Sequence, residues 1–275
     1  MLVYPNCKIN IGLRIVERRP DGYHNLETIF YPIPLYDNLE FKELKNEEAP
    51  YRLSLAGVPL AGRDEDNLVV KVFIALKEEF NLPPLEIFLY KHIPTGAGLG
   101  GGSSDAAAMM TALNEAYDLQ LSQAEMERRM AAFGADCAFF VASRPAFATG
   151  IGDKLSPTPL SLKGKYILLV KPEVFVSTKE AYAHVVPRAG GTSLNELVQA
   201  PMEQWRETIV NDFEASVFPA HPKLAAIKQT LYDMGALYAA MSGSGSTMFG
   251  IFDRPTPEAA QVFKDAFVFN KKLIK

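Results

Sequence analysis

Cysteine, histidine and an excess of either charge are all scarce in this 275-residue chain, and each shortage removes a class of protein. Two cysteines, Cys7 and Cys137, cannot build a disulfide framework. The four histidines (His24, His92, His184 and His221) are scattered, and no Cys/His spacing reads as a zinc site, so no metal ligands are expected. Lys and Arg number 28 against 32 Asp and Glu, a net charge of −4. A nucleic-acid or anionic-membrane binder needs a strong basic excess, whereas a small anionic substrate needs only a few local cations. The longest purely aliphatic run, residues 167–170, falls far short of the ~20 residues of a bilayer span. Met1-Leu2-Val3-Tyr4-Pro5 lacks the basic-then-apolar pattern of a secretory leader. The expectation is a cytoplasmic protein with neither nucleic-acid nor membrane partners. Its oligomeric state is left open.

Hydrophobic residues are plentiful, at 48% of the chain with 22% charged. That is ample for a core and excludes disorder. The length fits one large domain or two modest ones.

Cys7, Ile9, Ile11, Leu13 and Ile15 alternate with Lys8, Asn10, Gly12 and Arg14, the period of a strand with one apolar and one polar face. Pro20-Asp21-Gly22 supplies a turn, because proline presets φ and glycine accepts the positive φ that follows. Residues 2–32 therefore predict a hairpin, with further strands at 39–44, 51–55 and 85–90. Asp66-Asn67 ahead of Leu68, Val69, Val72, Phe73, Leu76 and Phe80 predicts a helix with an Asx cap and one apolar stripe. An Ala/Met-rich helix is expected from about Asp105 to Tyr117. Another runs from Ser122, where Glu125 completes a capping box, to Gly134. Ser156-Pro157-Thr158-Pro159 breaks the texture and places a domain boundary, giving domains 1–157 and 158–275. The second half predicts strands at 166–170, 237–241 and 247–252, a helix at 222–234 and a last helix from about Pro257. The class is α+β.

The strongest chemical signal is Pro94-Thr95-Gly96-Ala97-Gly98-Leu99-Gly100-Gly101-Gly102-Ser103-Ser104, wedged between an apolar strand and a helix start. Glycine lets the backbone approach a ligand closely, so that consecutive N–H groups converge on an anion. The helix N-terminus behind adds partial positive charge and unsatisfied donors. Together they read as a phosphate cradle rather than a surface linker. Walker A spacing is present from Gly96 to Gly101, but Gly102 replaces the required lysine. Gly96-x-Gly98-x-x-Gly101 matches the dinucleotide fingerprint, but the acidic partner Asp118 ends a helix instead of a strand. Protein-kinase signatures are missing.

These residues, with the Lys8-x-Asn10 strand and Ser242-Gly243-Ser244-Gly245, resemble the GHMP small-molecule kinase superfamily. Further matching elements are Asn6 to Asn10, Arg19-Pro20-Asp21-Gly22-Tyr23-His24, Asp66-Asn67-Leu68, Gly134-Ala135-Asp136 and Asn211-Asp212-Phe213-Glu214. They span nearly the whole chain in the superfamily's order. Asp21-Gly22-Tyr23-His24 is similar to the branch serving non-mevalonate isoprenoid synthesis, whose alcohol substrate is carried on a cytidine diphosphate, and unlike the mevalonate and homoserine kinases.

The resemblance implies a ribosomal-protein-S5-like N-terminal ATP-binding domain, a ferredoxin-like C-terminal substrate-binding domain and catalysis in the cleft between them. ATP, accompanied by Mg2+, would be the phosphoryl donor. Residues 94–104 would cradle its phosphates, with Asn67, Leu68 and Lys91 near the adenine. Asp136 would orient the substrate hydroxyl and accept its proton, while Lys8 holds that carboxylate and the developing alkoxide. Asn10, Tyr23, His24 and Tyr182 would bind substrate, His24 at the edge of cytosine and Tyr182 at its face. The chain departs from the common pattern at Cys137-Ala138, where Val-Pro usually follows the aspartate, and at Asp105, where some members carry asparagine and N-capping is the expected role.

Read without the resemblance, Lys8 is a solvated surface lysine, Asp136 a turn aspartate and Tyr23-His24 simple packing. Cys7 and Cys137 read as small buried hydrophobes; Met109, Met110, Met126 and Met130 read as core. The alternatives to the cytidine-linked branch are another GHMP kinase and a nucleotide-binding protein without catalysis.

Overall fold

The computed structural model describes residues 1–45 and 49–274, which fall into two units assembled from separate stretches of chain. The first comprises Met1–Cys7, Leu35–Thr95 and Gly100–Arg144; the second comprises Lys8–Pro34, Gly96–Leu99 and the chain from Pro145 onward.

In the first unit a four-stranded sheet runs in the order Leu2–Val3, Asn38–Glu43, Leu85–Lys91, Tyr51–Gly57. Alternation in the third of these buries Leu85, Ile87, Leu89 and Lys91 on one face. Tyr51–Gly57 pairs parallel with Leu85–Lys91, and parallel neighbours require a crossover. The helix Leu68–Phe80 makes it. Asn67 caps that helix by accepting from the Val69 N–H at 2.9 Å, as expected, and Val69, Val72, Phe73 and Leu76 form the buried stripe. This helix packs on Gly101–Ala116, which in turn packs on the short helix Cys137–Ala142. Small residues at Ala106, Ala107 and Ala112 let Gly101–Ala116 sit deep, with Met109 and Met110 filling the remaining space.

Two sheets form the second unit. One orders Asn6–Arg18, His24–Tyr36, Ala146–Thr149 and Lys154–Pro157, so the expected hairpin is present and turns at Gly22 with φ +87. Its first strand is not one-sided as the alternation implied: every residue from Cys7 to Leu13 is buried. The other sheet orders Tyr238–Met241, Met248–Phe252, Tyr166–Pro172 and Ala266–Lys272, all antiparallel. Chain order strand, helices, strand, strand, helix, strand, with the first and third strands central, is the ferredoxin-like arrangement. The helix Pro222–Asp233 starts on Pro222, which loses no intrahelical bond there, and buries Leu224, Ile227 and Leu231 against this sheet. The expected last helix shrinks to Ala259–Val262, and a strand, Ala266–Lys272, takes the end of the chain. Leu13, Ile15 and Leu26 of the first sheet share a core with Leu168, Val170, Phe213 and Met241.

Candidate active site

The Ala/Met-rich helix opens at Gly101, four residues earlier than its composition implied. Gly100, in the left-handed region at φ 70, is its cap. Asp105 is therefore not an N-cap; it lies inside the helix and 2% exposed. The first turn, Gly101, Gly102 and Ser103, leaves N–H groups without intrahelical acceptors. A Cβ on Gly102 would meet nothing within 4 Å, so this turn has room in front of it. Gly101 has none: its Cβ would lie 3.0 Å from Ile93 and 3.2 Å from the Lys91 ammonium.

Lys91, one of the residues expected near adenine, is 2% exposed, and its ammonium donates to Asp105 at 2.6 Å and to Asp37 at very short range. The second Asp37 oxygen accepts the N–H groups of His92 at 2.6 Å and Ile93 at 2.8 Å. Burial disfavours the Lys91 charge, but Asp105 and Asp37 outweigh it and raise its pKa. Burial pushes the Asp105 carboxyl up to about 7, against the pull of Lys91 and with the help of Asp37. Two carboxylates around one ammonium therefore lock the strand end at Lys91 to the helix that begins the cradle. Asn67 and Leu68 are half-buried at the start of Leu68–Phe80, and Asn67 spends its side-chain oxygen on the cap.

Asp136 is half-buried at the start of Cys137–Ala142, where the side chain does not cap the helix. With Cys137-Ala138 in place of the more usual Val-Pro, the segment that follows it is helical. Cys137 is buried, hydrogen-bonded to Ser103 and raised to about 11 by burial, which makes it an inert thiol.

In the second unit Lys8 is 2% exposed, which removes the solvated-lysine reading. Its ammonium donates to Asn10 Oδ1 at 2.6 Å and to the Gly98 carbonyl at 3.1 Å, and lies 5.1 Å from the Phe30 ring centroid. Gly98 is in the left-handed region at φ +74, and a Cβ there would stand 1.9 Å from the Ser242 carbonyl oxygen. Only glycine allows that approach. Ser242 Oγ donates to the Gly98 carbonyl at 2.9 Å, and the Asn10 N–H donates to Ser242 Oγ at 3.2 Å. Gly96–Leu99 and Ser242–Gly245 thus close over the Lys8–Asn10 strand.

The aromatic residues expected at cytosine also occur in this unit. His24 and Tyr182 stack with centroids 4.9 Å apart and planes 26° apart, and Phe213 backs Tyr182 edge-on at 4.7 Å. Tyr23 is 62% exposed on the turn, its N–H donating to Asp21 Oδ1 at 3.1 Å. Pro94, Thr95 and Ser104 are half-buried, exposed and buried respectively.

Family models for the GHMP kinases N terminal domain and the GHMP kinases C terminal match residues 67–144 and 193–268. A 4-diphosphocytidyl-2-C-methyl-D-erythritol kinase of Bacteroides fragilis is 51% identical over 273 residues, covering 99% of this chain and 100% of its own. Its counterpart from Bacteroides thetaiotaomicron is 53% identical over 253 residues, 92% of each chain. The chain belongs to the 4-diphosphocytidyl-2-C-methyl-D-erythritol kinase family of the GHMP kinases. A crystal structure of 4-(cytidine 5'-diphospho)-2C-methyl-D-erythritol kinase matches 98% of both chains with a TM-score of 0.83 at 29% identity. A homoserine kinase from Cytophaga hutchinsonii shares the fold, with a TM-score of 0.61 at 16% identity over 98% of this chain and 94% of its own. The chain is accordingly an enzyme, a kinase of the two-domain GHMP fold, in a family that uses ATP as phosphoryl donor.

Sequence reasoning gave no role to several residues that build these elements. Asp37 has no motif around it, and only the structure shows what it holds. Asn211 Nδ2 donates to the carbonyls of Met241 and Gly243 at 2.8 Å each, and Glu214 Oε1 accepts the Met241 N–H at 2.8 Å. The Asn211-to-Glu214 element therefore braces the entry to the Ser242–Gly245 loop. In the sequence it stood out only as one of the elements matching the GHMP superfamily, with no role attached. Thr28, whose hydroxyl donates to the Gly12 carbonyl at 2.6 Å and accepts from Asn10 Nδ2 at 3.0 Å, carried no signal.

Proposed function

We propose that the chain transfers the γ-phosphoryl group of ATP to the 2-hydroxyl of 4-diphosphocytidyl-2-C-methyl-D-erythritol, releasing ADP and the 2-phosphate, in the non-mevalonate route to isoprenoid precursors. The observation that carries the choice of substrate is the His24–Tyr182 stack. A flat pair with a hydrogen-bonding imidazole edge suits a pyrimidine, which mevalonate and homoserine lack. The whole-chain relatives with that name support the same choice.

Phosphoryl transfer asks a protein mainly to align the nucleophile and to stabilise spreading negative charge. Residues 94–104 take the ATP phosphates, and the N-terminal turn of Gly101–Ala116 offers N–H donors and dipole. Asn67, Leu68 and Lys91 serve the adenine end, Lys91 by fixing backbone, since its ammonium is held by Asp37 and Asp105. Lys8 is the catalytic cation, and Asp136 orients the acceptor hydroxyl and takes its proton. Asn10, Tyr23, His24 and Tyr182 bind the cytidine substrate. By sequence order 1–157 is assigned to the ATP-binding domain and 158–275 to the substrate-binding domain, and the substrate residues Asn10, Tyr23 and His24 lie on Lys8–Pro34, a stretch of the former that belongs to the same compact unit as the latter.

Among the described residues no three His, Cys, Asp or Glu side chains group as metal ligands. Asp37 and Asp105, the carboxylates beside the cradle helix, are both engaged by Lys91. Magnesium is assigned to the reaction as the ion that accompanies ATP, where it would neutralise phosphate charge during transfer. No described helix is long and apolar enough to cross a membrane. The enzyme is assigned to the cytoplasm, with a small molecule as its substrate.

The test is ADP release with MgATP and, in turn, the cytidine diphosphate-linked alcohol, mevalonate and homoserine. Release with the first alone is expected. Release with an alcohol carrying no base would move the chain to another GHMP branch. Nucleotide binding without release for any acceptor would make it a binding protein.

A further inference from the structure

We infer that two buried hydroxyls, those of Thr28 and Ser242, are positioning residues that aim the Lys8 ammonium for phosphoryl transfer. The inference rests on the assignment of Lys8 as the catalytic cation and adds the residues through which the fold orients it.

Lys8 has two described acceptors, Asn10 Oδ1 and the Gly98 carbonyl. The first is reversible in principle, because a side-chain amide can turn over and exchange its oxygen for an NH2 group. Turned over, Asn10 would present donors to an ammonium, and the contact would become repulsive. Thr28 prevents this by counting protons. Its Oγ1 lies 2.6 Å from the Gly12 carbonyl and 3.0 Å from Asn10 Nδ2. A carbonyl only accepts, so the single hydroxyl proton of Thr28 is committed to Gly12. Towards Asn10 the same oxygen can then only accept. That holds the NH2 end of the amide at Thr28 and the oxygen end at Lys8.

Ser242 applies the same logic to the second acceptor. Its one proton goes to the Gly98 carbonyl at 2.9 Å, and its lone pair accepts the Asn10 N–H at 3.2 Å. Both ends are backbone groups of fixed polarity, so the bridge has one direction. Thr28, Ser242, Asn10 and Lys8 are at most 2% exposed, and water cannot replace a lost partner in a network so enclosed. Gly12 completes the arrangement. It sits at φ +67, and a Cβ would meet Ile209 at 2.8 Å, so its conformation is specific to glycine. Donation runs from ammonium to amide to hydroxyl to backbone carbonyl, and the carbonyl end fixes its direction.

Thr28→Val keeps the β-branched shape and removes the proton logic; Thr28→Ser keeps the hydroxyl and removes the methyl. Steady-state rates with MgATP and the cytidine-linked substrate, alongside the melting temperature and ATP affinity of each variant, decide the matter. Thr28→Val is expected to lower kcat at least tenfold, with both KM values and ATP affinity within about twofold of wild type. Thr28→Ser is expected to recover most of the rate. Ser242→Ala should reproduce the kcat-selective loss, and it carries the test if Thr28→Val does not fold. Lys8→Ala, run beside them, separates the two levels. Full turnover in Lys8→Ala would remove the catalytic assignment and the inference together. An inactive Lys8→Ala with a fully active Thr28→Val or Ser242→Ala would overturn the inference and leave the assignment standing. A slow Thr28→Val that Thr28→Ser does not rescue would also overturn it, because shape rather than the hydroxyl would then matter.

Discussion

His24 and Tyr182 meet as a near-parallel pair, 4.9 Å between ring centroids, with Phe213 edge-on behind Tyr182. Tyr182 ends a five-residue helix, Thr178–Tyr182, whose cap is Ser177 accepting the Glu180 N–H at 3.1 Å. The ring is therefore carried on a short helix and held by packing. Stacking a base on an aromatic ring is worth about 1–3 kcal/mol. Tyr182→Ala should raise KM for the cytidine-linked substrate about tenfold or more with little change in KM for ATP, and Tyr182→Phe should stay near wild type. Initial rates at varied concentrations of each substrate check this; an unchanged KM in the alanine variant would remove Tyr182 from the substrate site.

The second expectation concerns Asp105. Its carboxyl titrates at about 7 in the folded chain against 3.8 for the ordinary group, chiefly through burial. Between those values the folded state holds a proton that the unfolded state has released. Stability should therefore fall as pH rises from about 4 to about 7, by at most ~1.4 kcal/mol per pH unit. Lys91, raised above its usual value, stays charged throughout and adds no slope in this window. Asp105→Asn should flatten the dependence. Melting temperatures from pH 5 to 8 check it, and an equal slope in both proteins would show that Asp105 does not carry it.

Two glycines of the cradle should behave in opposite ways. Gly98→Ala sets a methyl 1.9 Å from the Ser242 carbonyl in a left-handed conformation, so a loss of stability on the order of a few kcal/mol is expected. Gly102→Ala meets nothing within 4 Å and lies in a helix. It should melt near wild type but raise KM for ATP several-fold, because the methyl occupies the space in front of the helix start. Thermal melts and ATP titrations of both separate packing from phosphate access. Normal ATP affinity in Gly102→Ala would place the phosphates elsewhere.

What was legible in the sequence was what neighbouring residues decide. The hairpin turn at Gly22, the Asn67 cap, the Ser122 cap and the stripes of Leu68–Phe80 and Pro222–Asp233 all depend on residues within a few positions, and each is present. Met109, Met110, Met126 and Met130 are core, as expected. The burial of Lys8 and Asn10 was not legible, because their partners Gly98 and Ser242 join the strand from far along the chain. Asp105 was misread because an acidic residue near a helix start normally caps it, whereas Gly100 does so through its backbone. Pro257 looked like a helix start, yet the chain after Phe263 pairs with Tyr166–Pro172 and completes the sheet. The superfamily resemblance supplied roles for Lys8 and Asp136 that local pattern alone would have denied them.

The central claim is that Asp136 and Lys8 serve the transfer of phosphate from ATP to an alcohol on a cytidine diphosphate. Phosphorus NMR of the purified protein with MgATP and 4-diphosphocytidyl-2-C-methyl-D-erythritol, beside Asp136→Asn and Lys8→Ala, tests it most directly. The account predicts a new phosphomonoester resonance and ADP with wild type. Each variant should slow that conversion by orders of magnitude while its ATP resonances still report binding. No new resonance with wild type, or near-normal conversion in either variant, would contradict it.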